Sequence, residues 1–320
     1  MTRLLLFGCV ALTLFGQSWP RRSHREILRR MELTMGPLPR FDHKAPLHVE
    51  VLEEIKLPHY RRRKILFASP DSDRIPAYLL LPDGSGRRPA VLCLHQTTRI
   101  GKDEPAGLGG KPNLHYAAEL AERGYVALVP DYPSFGDYPY NFDDPKYVSG
   151  TMKGIVNHMR AVDLLVSLPE VDPRRIGVIG HSLGGHNSLF VASFDQRIKA
   201  VVTSCGFTLL SKYKNGNLKG WDQKRYMPLV AERYHNSARE MPWDLPDVLA
   251  AIAPRPIFVN APLHDDNFDA SGVDDCVRAV ADRFPAGSLV VVHPDCAHDF
   301  PPEIREQAYR FLDRRLGNTR

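Results

Sequence analysis

The chain has 320 residues, of which 43% are hydrophobic and 25% are charged, so it can bury a large core, as a soluble enzyme does. The formal net charge is +5, and part of the basic excess lies in an arginine-rich stretch near the N-terminus and in the run from Arg61 to Lys64. No aromatic stacking pattern or nucleic-acid motif accompanies these runs, which therefore indicate a solvated face and no nucleic-acid partner.

The first residues have the order of a secretory signal. One arginine is followed by an apolar run from Leu4 to Gly16 and then by small and polar residues. The run is shorter than the roughly 20 apolar residues that span a bilayer. We expect a signal peptide at residues 1–18, a mature protein that begins near Trp19, and a secreted or periplasmic localisation. An uncleaved anchor is the alternative, and no later segment is apolar enough to span a membrane.

The cysteines give no sign of a zinc site. Cys9 lies within the expected signal, and Cys93, Cys205, Cys276 and Cys296 show no CxxC spacing. Cys93 and Cys205 fall in apolar runs and are expected to be buried thiols. In an exported protein Cys276 and Cys296 could form a disulfide, which the sequence leaves open.

Strand-like segments follow an arginine-rich stretch that ends near residue 40. The first three alternate with a period of two and are separated by Pro, Asp and Ser turns: 49–60, 62–70 and 74–82. The later ones are continuous apolar runs: 89–95, 125–131, 175–181, 199–205, 256–262 and 288–294. Such runs are typical of parallel strands that are buried on both faces.

Helical patterns fall between these runs, at residues 114–124, 151–168, 272–284 and 301–316. An antiparallel start followed by repeated β-α units predicts an α/β fold, with helices on both faces of a mostly parallel sheet. We expect a single domain over residues 19–320.

One interval, residues 206–253, interrupts this alternation and contains no strand-like run. It is expected to form a cap-like insertion over the carboxyl edge of the sheet. Its aromatic residues, which include Trp221 and Tyr226, are mixed with polar and charged ones, which favours a sugar or small polar ester over a long acyl chain. The alternative is that these rings only pack the insertion against the sheet.

Ser182 stands between glycines where an apolar run ends, in the fragment RIGVIGHSLGG. A strand, a sharp turn and a helix in this order would expose the serine oxygen above the sheet, at the start of the helix. Because a serine hydroxyl is a poor nucleophile at neutral pH, it needs a base, and the base needs an orienting acid. Ser182 is therefore the candidate nucleophile.

The expected order along the chain is serine, acid, histidine. His298 lies in the loop before the last helix and is the candidate base, and His293 at the preceding strand end is the rival. The candidate acid is Asp265, soon after the strand at 256–262, with Phe268 three residues later to anchor the loop. Its neighbour Asp266 stays open as an alternative.

An oxyanion would need backbone N–H donors. We expect one from Leu183, which follows the nucleophile, and a second from Gln96 or Thr97 in the loop after the strand at 89–95. His95 is expected to brace this loop, and Asp131 is expected to be structural.

Four fragments, EVDPRRIGVIGHSLGG, HQTTRIGKDEPAGLGG, APLHDDNFD and CAHDF, resemble the α/β-hydrolase superfamily, and within it the dienelactone-hydrolase and acetyl-xylan-esterase-like branch. The resemblance implies an eight-stranded sheet, with the insertion after the sixth strand, and esterase chemistry without metal or cofactor. It also implies Ser182, His298 and an aspartate after the strand at 256–262 as the triad. The chain departs from the family where HQTT replaces the usual glycine-rich turn, which leaves the second oxyanion donor open.

The sequence thus favours an exported serine hydrolase that cleaves short-acyl or carbohydrate-linked carboxylic esters through an acyl-enzyme. One alternative is a peptidase similar to prolyl oligopeptidases, although those carry a propeller domain for which this chain has no room. Another is a non-catalytic binding protein, although all three triad positions are filled. Metal-dependent hydrolysis is disfavoured because no HExxH motif occurs. The substrate and the oligomeric state stay open.

Overall fold

The computed structural model describes residues 19–143 and 146–318, so the predicted signal peptide lies outside the described residues. Within these ranges nine strands form one sheet, in the order β1-β2-β3-β5-β4-β6-β7-β8-β9. The strands are β1 (Glu50–Lys56), β2 (Tyr60–Ala68), β3 (Arg74–Pro82), β4 (Arg88–Leu94), β5 (Val126–Pro130), β6 (Val171–His181), β7 (Ile198–Ser204), β8 (Ile257–Asn260) and β9 (Leu289–Val292).

Each segment that the sequence pattern marked as a strand forms one. β1, β2 and β3 pair antiparallel, as do β3 and β5, and the remaining pairs from β4 to β9 are parallel. The mostly parallel α/β sheet is therefore confirmed. The expected count of eight strands is corrected to nine, because β1 pairs with β2 as an additional edge strand that is exposed along its whole length. Consequently the expected insertion follows the seventh strand rather than the sixth.

The α-helices in the described residues are α1 (His24–Met35), α2 (Tyr116–Glu122), α3 (Gly150–Ser167), α4 (Leu183–Phe194), α5 (Leu229–Glu232), α6 (Leu245–Ile252), α7 (Ala270–Val280) and α8 (Pro302–Leu316). They cover both faces of the sheet, as predicted. α1, α3, α4, α6 and α7 contribute to one hydrophobic core, and α2 and α8 pack on the opposite face in a second core. None of the helices within residues 19–143 and 146–318 has the length and hydropathy needed to cross a membrane.

The helix α1 is absent from the sequence-based prediction, which treated this stretch only as polar and arginine-rich. Ile27, Met31 and Met35 recur every four residues and are all buried in the core. The Ser23 hydroxyl accepts a hydrogen bond from the Glu26 N–H and caps the helix. A serine followed three residues later by glutamate is the signature of a helix start, so the sequence did carry a signal for α1.

The segment at residues 206–253 contains two 3₁₀ helices (Leu210–Gly216 and Leu218–Trp221), α5 and α6. α6 packs against α1, α4 and α7 and is part of the helical layer. Trp243 lies in the same layer, where its indole N–H donates to the Thr34 hydroxyl at 2.8 Å. The part of the segment before α5 instead contributes side chains to the cavity described below.

The four cysteines in the described part of the chain are free thiols. Cys276 is buried in α7, and Cys296 is half-buried in the loop after β9, so the two do not form the disulfide that the sequence left open. Cys93 and Cys205 are buried, as expected.

Candidate active site

Ser182 occupies the sharp turn between β6 and α4. Its φ of 55° and ψ of −114° lie in a region that residues with side chains rarely adopt, so the backbone is strained here. A Cβ atom at Gly180 would lie 2.2 Å from the carbonyl oxygen of Gly184, and one at Gly184 would lie 1.9 Å from the carbonyl oxygen of Leu94. The two glycines are therefore required because the strand, the turn and the helix approach too closely for any side chain.

His298, in the loop between β9 and α8, is paired with Asp265. Nδ1 of His298 lies 2.9 Å and 3.0 Å from the two carboxylate oxygens, and the Asp265 side chain is completely buried. Burial alone would raise the pKa of Asp265. The hydrogen bond from His298 and the N–H groups of Asn267 and Phe268 outweigh burial and keep the pKa below its ordinary value. A charged Asp265 favours the tautomer that carries a proton on Nδ1.

The rival residues are placed elsewhere. His293 contacts the carbonyl oxygen of Ala261 at 2.7 Å and the Asp274 carboxylate at 3.0 Å, and neither group belongs to the predicted triad. The side chain of Asp266 is exposed. The structure thus brings Asp265, rather than its neighbour, against His298.

Two rings fix the orientation of the His298 imidazole. Phe268 stacks on it with ring centroids 6.2 Å apart, and His181, the residue before Ser182, meets it edge-on at 4.8 Å. In the described part of the chain no hydrogen bond joins the Ser182 hydroxyl to His298. Such bonds are often long in unliganded sites and tighten when substrate binds.

A buried polar network lies beneath this ring. Nδ1 of His181 is 2.9 Å from the Ser204 hydroxyl, which also accepts a hydrogen bond from the Asn260 side chain at 2.8 Å. Asn260 donates as well to the Asp299 carbonyl oxygen, in the loop that carries His298. Burial lowers the pKa of His181 well below its ordinary value, so this imidazole is neutral. The network ties the ends of β6, β7 and β8 to the His298 loop.

The backbone donors expected for an oxyanion lie close together. Leu183 is the first residue of α4, where an N–H has no partner within the helix. The loop with Gln96 and Thr97 follows β4, whose last carbonyl is in contact with Gly184. Among the described residues, no carbonyl accepts a hydrogen bond from the N–H of Gln96 or Thr97.

The side chains of this loop distinguish the two candidates. Gln96 donates to both carboxylate oxygens of the buried Glu104, at 2.9 Å and 3.1 Å, and does not line the site cavity. Thr97 lines the cavity, and its hydroxyl is 3.1 Å from that of Tyr226. His95 braces the loop as expected, since it donates from Nδ1 to the Gln96 carbonyl and accepts the Tyr132 N–H at Nε2.

A second brace lies behind the loops that follow β4 and β5. Asp131 is fully buried and accepts hydrogen bonds from the N–H and ammonium groups of Lys102, at 2.7 Å and 2.9 Å, and from the N–H of Asp137. The Lys102 ammonium is equally buried and also contacts the Asp137 carboxylate at 2.7 Å. Asp131 thus holds the two loops together, in keeping with its predicted structural role.

A cavity of about 140 Å³ opens at Ser182. Besides Ser182, Leu183 and Thr97, it is lined by His186, Tyr213, Gly220, Trp221, Tyr226, Asn267 and Phe268. Trp221 and Tyr226 were noted in the sequence as aromatic residues of the insertion, and Phe268 as the anchor of its loop. His186, Tyr213 and Asn267 were not predicted as site residues.

His186 could have been found from its spacing. It lies four residues after Ser182, and residues four apart share one face of a helix. Its ring packs on Trp221 with centroids 4.8 Å apart, and burial lowers its pKa to about 3, so the cavity wall is neutral here. Tyr213 and Asn267 reach the cavity through loop conformations that have no sequence periodicity.

Comparison with known families identifies the family to which the chain belongs. A model of the prolyl oligopeptidase family matches residues 113–319, a range that contains Ser182, Asp265 and His298. The chain belongs to the prolyl oligopeptidase family. Because this family has the α/β-hydrolase fold, the resemblance drawn from the turn at Ser182 and from the loop fragments is confirmed.

Relatives and solved structures agree with this assignment. YtaP of Bacillus subtilis (strain 168) is 29% identical over 315 residues, which cover 92% of this chain and 100% of that protein. The 2,6-dihydropseudooxynicotine hydrolase of Paenarthrobacter nicotinovorans is 28% identical over 240 residues, 72% of this chain and 58% of that protein. Together the family and these relatives show that this protein is a hydrolase.

Two solved esterases share its fold. The glucuronoyl esterase from Solibacter usitatus superposes with a TM-score of 0.71 at 18% identity, over 91% of each chain. The acetyl xylan esterase from Paenibacillus sp. R4 superposes with a TM-score of 0.64 at 20% identity, over 91% of this chain and 94% of that one. At these identities the likeness is one of fold.

Proposed function

We propose that this protein is an exported serine hydrolase that cleaves short-acyl or carbohydrate-linked carboxylic esters through an acyl-enzyme. The observation that carries the proposal is the contact of the buried Asp265 carboxylate with Nδ1 of His298, whose ring also contacts that of His181, the residue before a serine at a strained strand-to-helix turn. A hydrolytic triad consists of a carboxylate, an imidazole and a serine hydroxyl, and these residues supply all three groups. The esterase names of the solved neighbours support ester hydrolysis.

In the proposed mechanism Asp265 holds the Nδ1 proton of His298, so that Nε2 is free to accept the proton of the Ser182 hydroxyl. The serine oxygen attacks the ester carbonyl, and the proton then passes from Nε2 to the departing alcohol. Water, activated by the same nitrogen, attacks the acyl-enzyme and releases the acid. The carboxylate stays ionised throughout and stabilises the imidazolium.

The N–H groups of Leu183 and of the β4 loop stabilise the negative charge that forms on the carbonyl oxygen. We assign the second donor to Thr97, because this residue lines the cavity with Ser182 and Leu183 whereas Gln96 does not. The hydrogen bonds of His95 and Glu104 to Gln96 hold the loop in place, so the donor is oriented before substrate arrives.

The size and lining of the cavity favour a substrate with a small acyl group. Its volume of about 140 Å³ is below the roughly 300–1,000 Å³ of sites that enclose drug-sized ligands. Tyr213, Trp221 and Tyr226 supply flat apolar faces and hydroxyl groups rather than an aliphatic channel. We propose that the first part of the 206–253 segment covers the site as a cap and excludes long acyl chains.

A hydrolysis panel tests this function. We expect purified wild-type protein to cleave acetyl esters, including acetylated sugars, and the Ser182→Ala variant to lose this activity. Equal activity in both proteins would contradict the serine mechanism.

The family match favours a serine peptidase as a second candidate. Peptide anilides with proline at the scissile position, assayed beside p-nitrophenyl acetate, distinguish the two. Faster turnover of the anilide, abolished in Ser182→Ala, would replace the esterase proposal by the peptidase. Turnover of the ester alone would support the esterase.

A further inference from the structure

Three metal-binding side chains of different kinds meet behind the His298 ring. Sγ of Cys205, a carboxylate oxygen of Asp265 and a ring nitrogen of His298 all lie within 4.8 Å of one another. Cys205 and Asp265 are buried, and the His298 side chain is 21% exposed. Ester hydrolysis as proposed above uses Asp265 and His298 but has no role for the Cys205 thiol.

The backbone fixes the direction of that thiol. Cys205 directly follows β7 with a φ of 48°, and its N–H donates to the Asn260 carbonyl oxygen at 2.9 Å. Its Sγ lies 3.4 Å from the carbonyl oxygen of Asp299, the residue after His298. The thiol is therefore aimed at the loop of the catalytic histidine, and the Asp299 carbonyl adds a fourth donor beside it.

We propose that Cys205, Asp265 and His298 form a binding site for a thiophilic divalent cation such as Zn²⁺ or Cd²⁺, and that the bound ion inhibits the hydrolase. Zn²⁺ prefers thiolate, imidazole and carboxylate ligands at about 2.0–2.3 Å in a tetrahedral arrangement. Ligand atoms on one such ion are then about 3.3–3.8 Å apart. The three donor atoms, within 4.8 Å of one another, need to move by only about 1 Å to reach these separations.

The position of the ion explains why it inhibits. Nδ1 is the ring nitrogen that faces Asp265, so it is the nitrogen available to the metal. When the ion binds, the thiol proton leaves to solvent and the ring proton moves from Nδ1 to Nε2. Nε2 then carries a proton and has no lone pair for the Ser182 hydroxyl. The base is lost without any change in the serine.

Metal binding is tested directly with CoCl₂, whose bond to a thiolate gives a charge-transfer absorption in the near ultraviolet, and by calorimetry with ZnCl₂. We expect one ion per chain, the thiolate band in wild-type protein, and affinity at least about tenfold weaker in Cys205→Ser. The matched control is Cys296→Ser, which removes a half-buried thiol in the His298 loop and should keep wild-type affinity. Absence of the band in wild-type protein would overturn the site, as would equal affinity in Cys205→Ser.

The inhibition, unlike the binding, rests on the proposed function. We expect ZnCl₂ to stop acetyl ester hydrolysis by wild-type protein and EDTA to restore it, with at least about tenfold more ZnCl₂ needed for Cys205→Ser. Undiminished hydrolysis by zinc-loaded wild-type protein would refute the inhibition. A protein that shows the thiolate band but hydrolyses no ester in the absence of metal would contradict the proposed function and support the site.

Discussion

Replacing Asp265 with asparagine should disable the site while leaving its structure intact. Oδ1 of Asp265 accepts the N–H groups of Asn267 and Phe268 at 2.8 Å and 3.1 Å and lies 3.0 Å from Nδ1 of His298, and Oδ2 is 2.9 Å from the same nitrogen. An asparagine oxygen at the Oδ1 position would keep both backbone hydrogen bonds. The amide NH₂ would then face Nδ1 and donate to it. The imidazole proton would move to Nε2, which could no longer accept the proton of Ser182.

A histidine held in the wrong tautomer costs about 10⁴-fold in kcat, equivalent to about 5 kcal/mol of transition-state stabilisation. The assay is kcat and KM for an acetyl ester, with the thermal midpoint measured to confirm folding. We expect kcat of Asp265→Asn to fall by this factor with KM little changed. Asp266→Asn, at the exposed neighbour, is the matched control and should stay within about twofold of wild type. A severe loss in Asp266→Asn and a mild one in Asp265→Asn would refute this assignment.

Four further predictions concern stability, specificity and processing. Lys102→Met should lower the free energy of unfolding in urea by about 3–5 kcal/mol, because it leaves the buried Asp131 carboxylate without its cation; a change below 1 kcal/mol would contradict this. Burial raises the pKa of Asp244 to about 7, so the folded state keeps a proton that the unfolded chain loses above about pH 4. Wild-type stability should therefore decline relative to that of Asp244→Asn between about pH 4 and 7, and urea unfolding that shows the opposite trend would refute the shift. The kcat/KM value should fall from acetyl to octanoyl esters and fall less in Trp221→Ala, because the cavity at the serine is small. A kcat/KM value that rises with acyl chain length would rule out the proposed short-acyl specificity. N-terminal sequencing of exported protein should find a start near Trp19, whereas an intact Met1 on soluble cytoplasmic protein would overturn the localisation.

The elements that follow from local pattern were predictable from the sequence. Continuous apolar runs identify β4 to β9 because strands covered on both faces exclude polar residues. The spacing of Gly180, Ser182 and Gly184 identifies the turn, because contacts near 2 Å leave no room for a Cβ. The sequence limits the carboxylate partner of His298 to two neighbouring aspartates, Asp265 and Asp266, since both follow the same strand.

Features that depend on tertiary structure were harder to predict from the sequence. Asp265 and Asp266 are equivalent in sequence, and only the turn that buries one and exposes the other distinguishes them. The count of eight strands came from the family resemblance, whereas the alternating pattern at residues 49–60 already marked the additional edge strand β1. Tyr213 reaches the cavity from a kink within the 3₁₀ segment Leu210–Gly216, where its backbone angles are not helical, and no periodicity of the sequence predicts this kink. The helix α1 differs from these features, because its capping signature, Ser23 followed by Glu26, is present in the sequence.

Covalent labelling tests the proposal that Ser182 is the nucleophile of this hydrolase. Protein treated with a fluorophosphonate ester is digested, and the modified peptide is sequenced by mass spectrometry. We expect one adduct per chain, on Ser182, and about 10⁴-fold slower labelling of Asp265→Asn, since its histidine cannot take the serine proton. An adduct on a different serine, or labelling of Ser182→Ala at the wild-type rate, would contradict it.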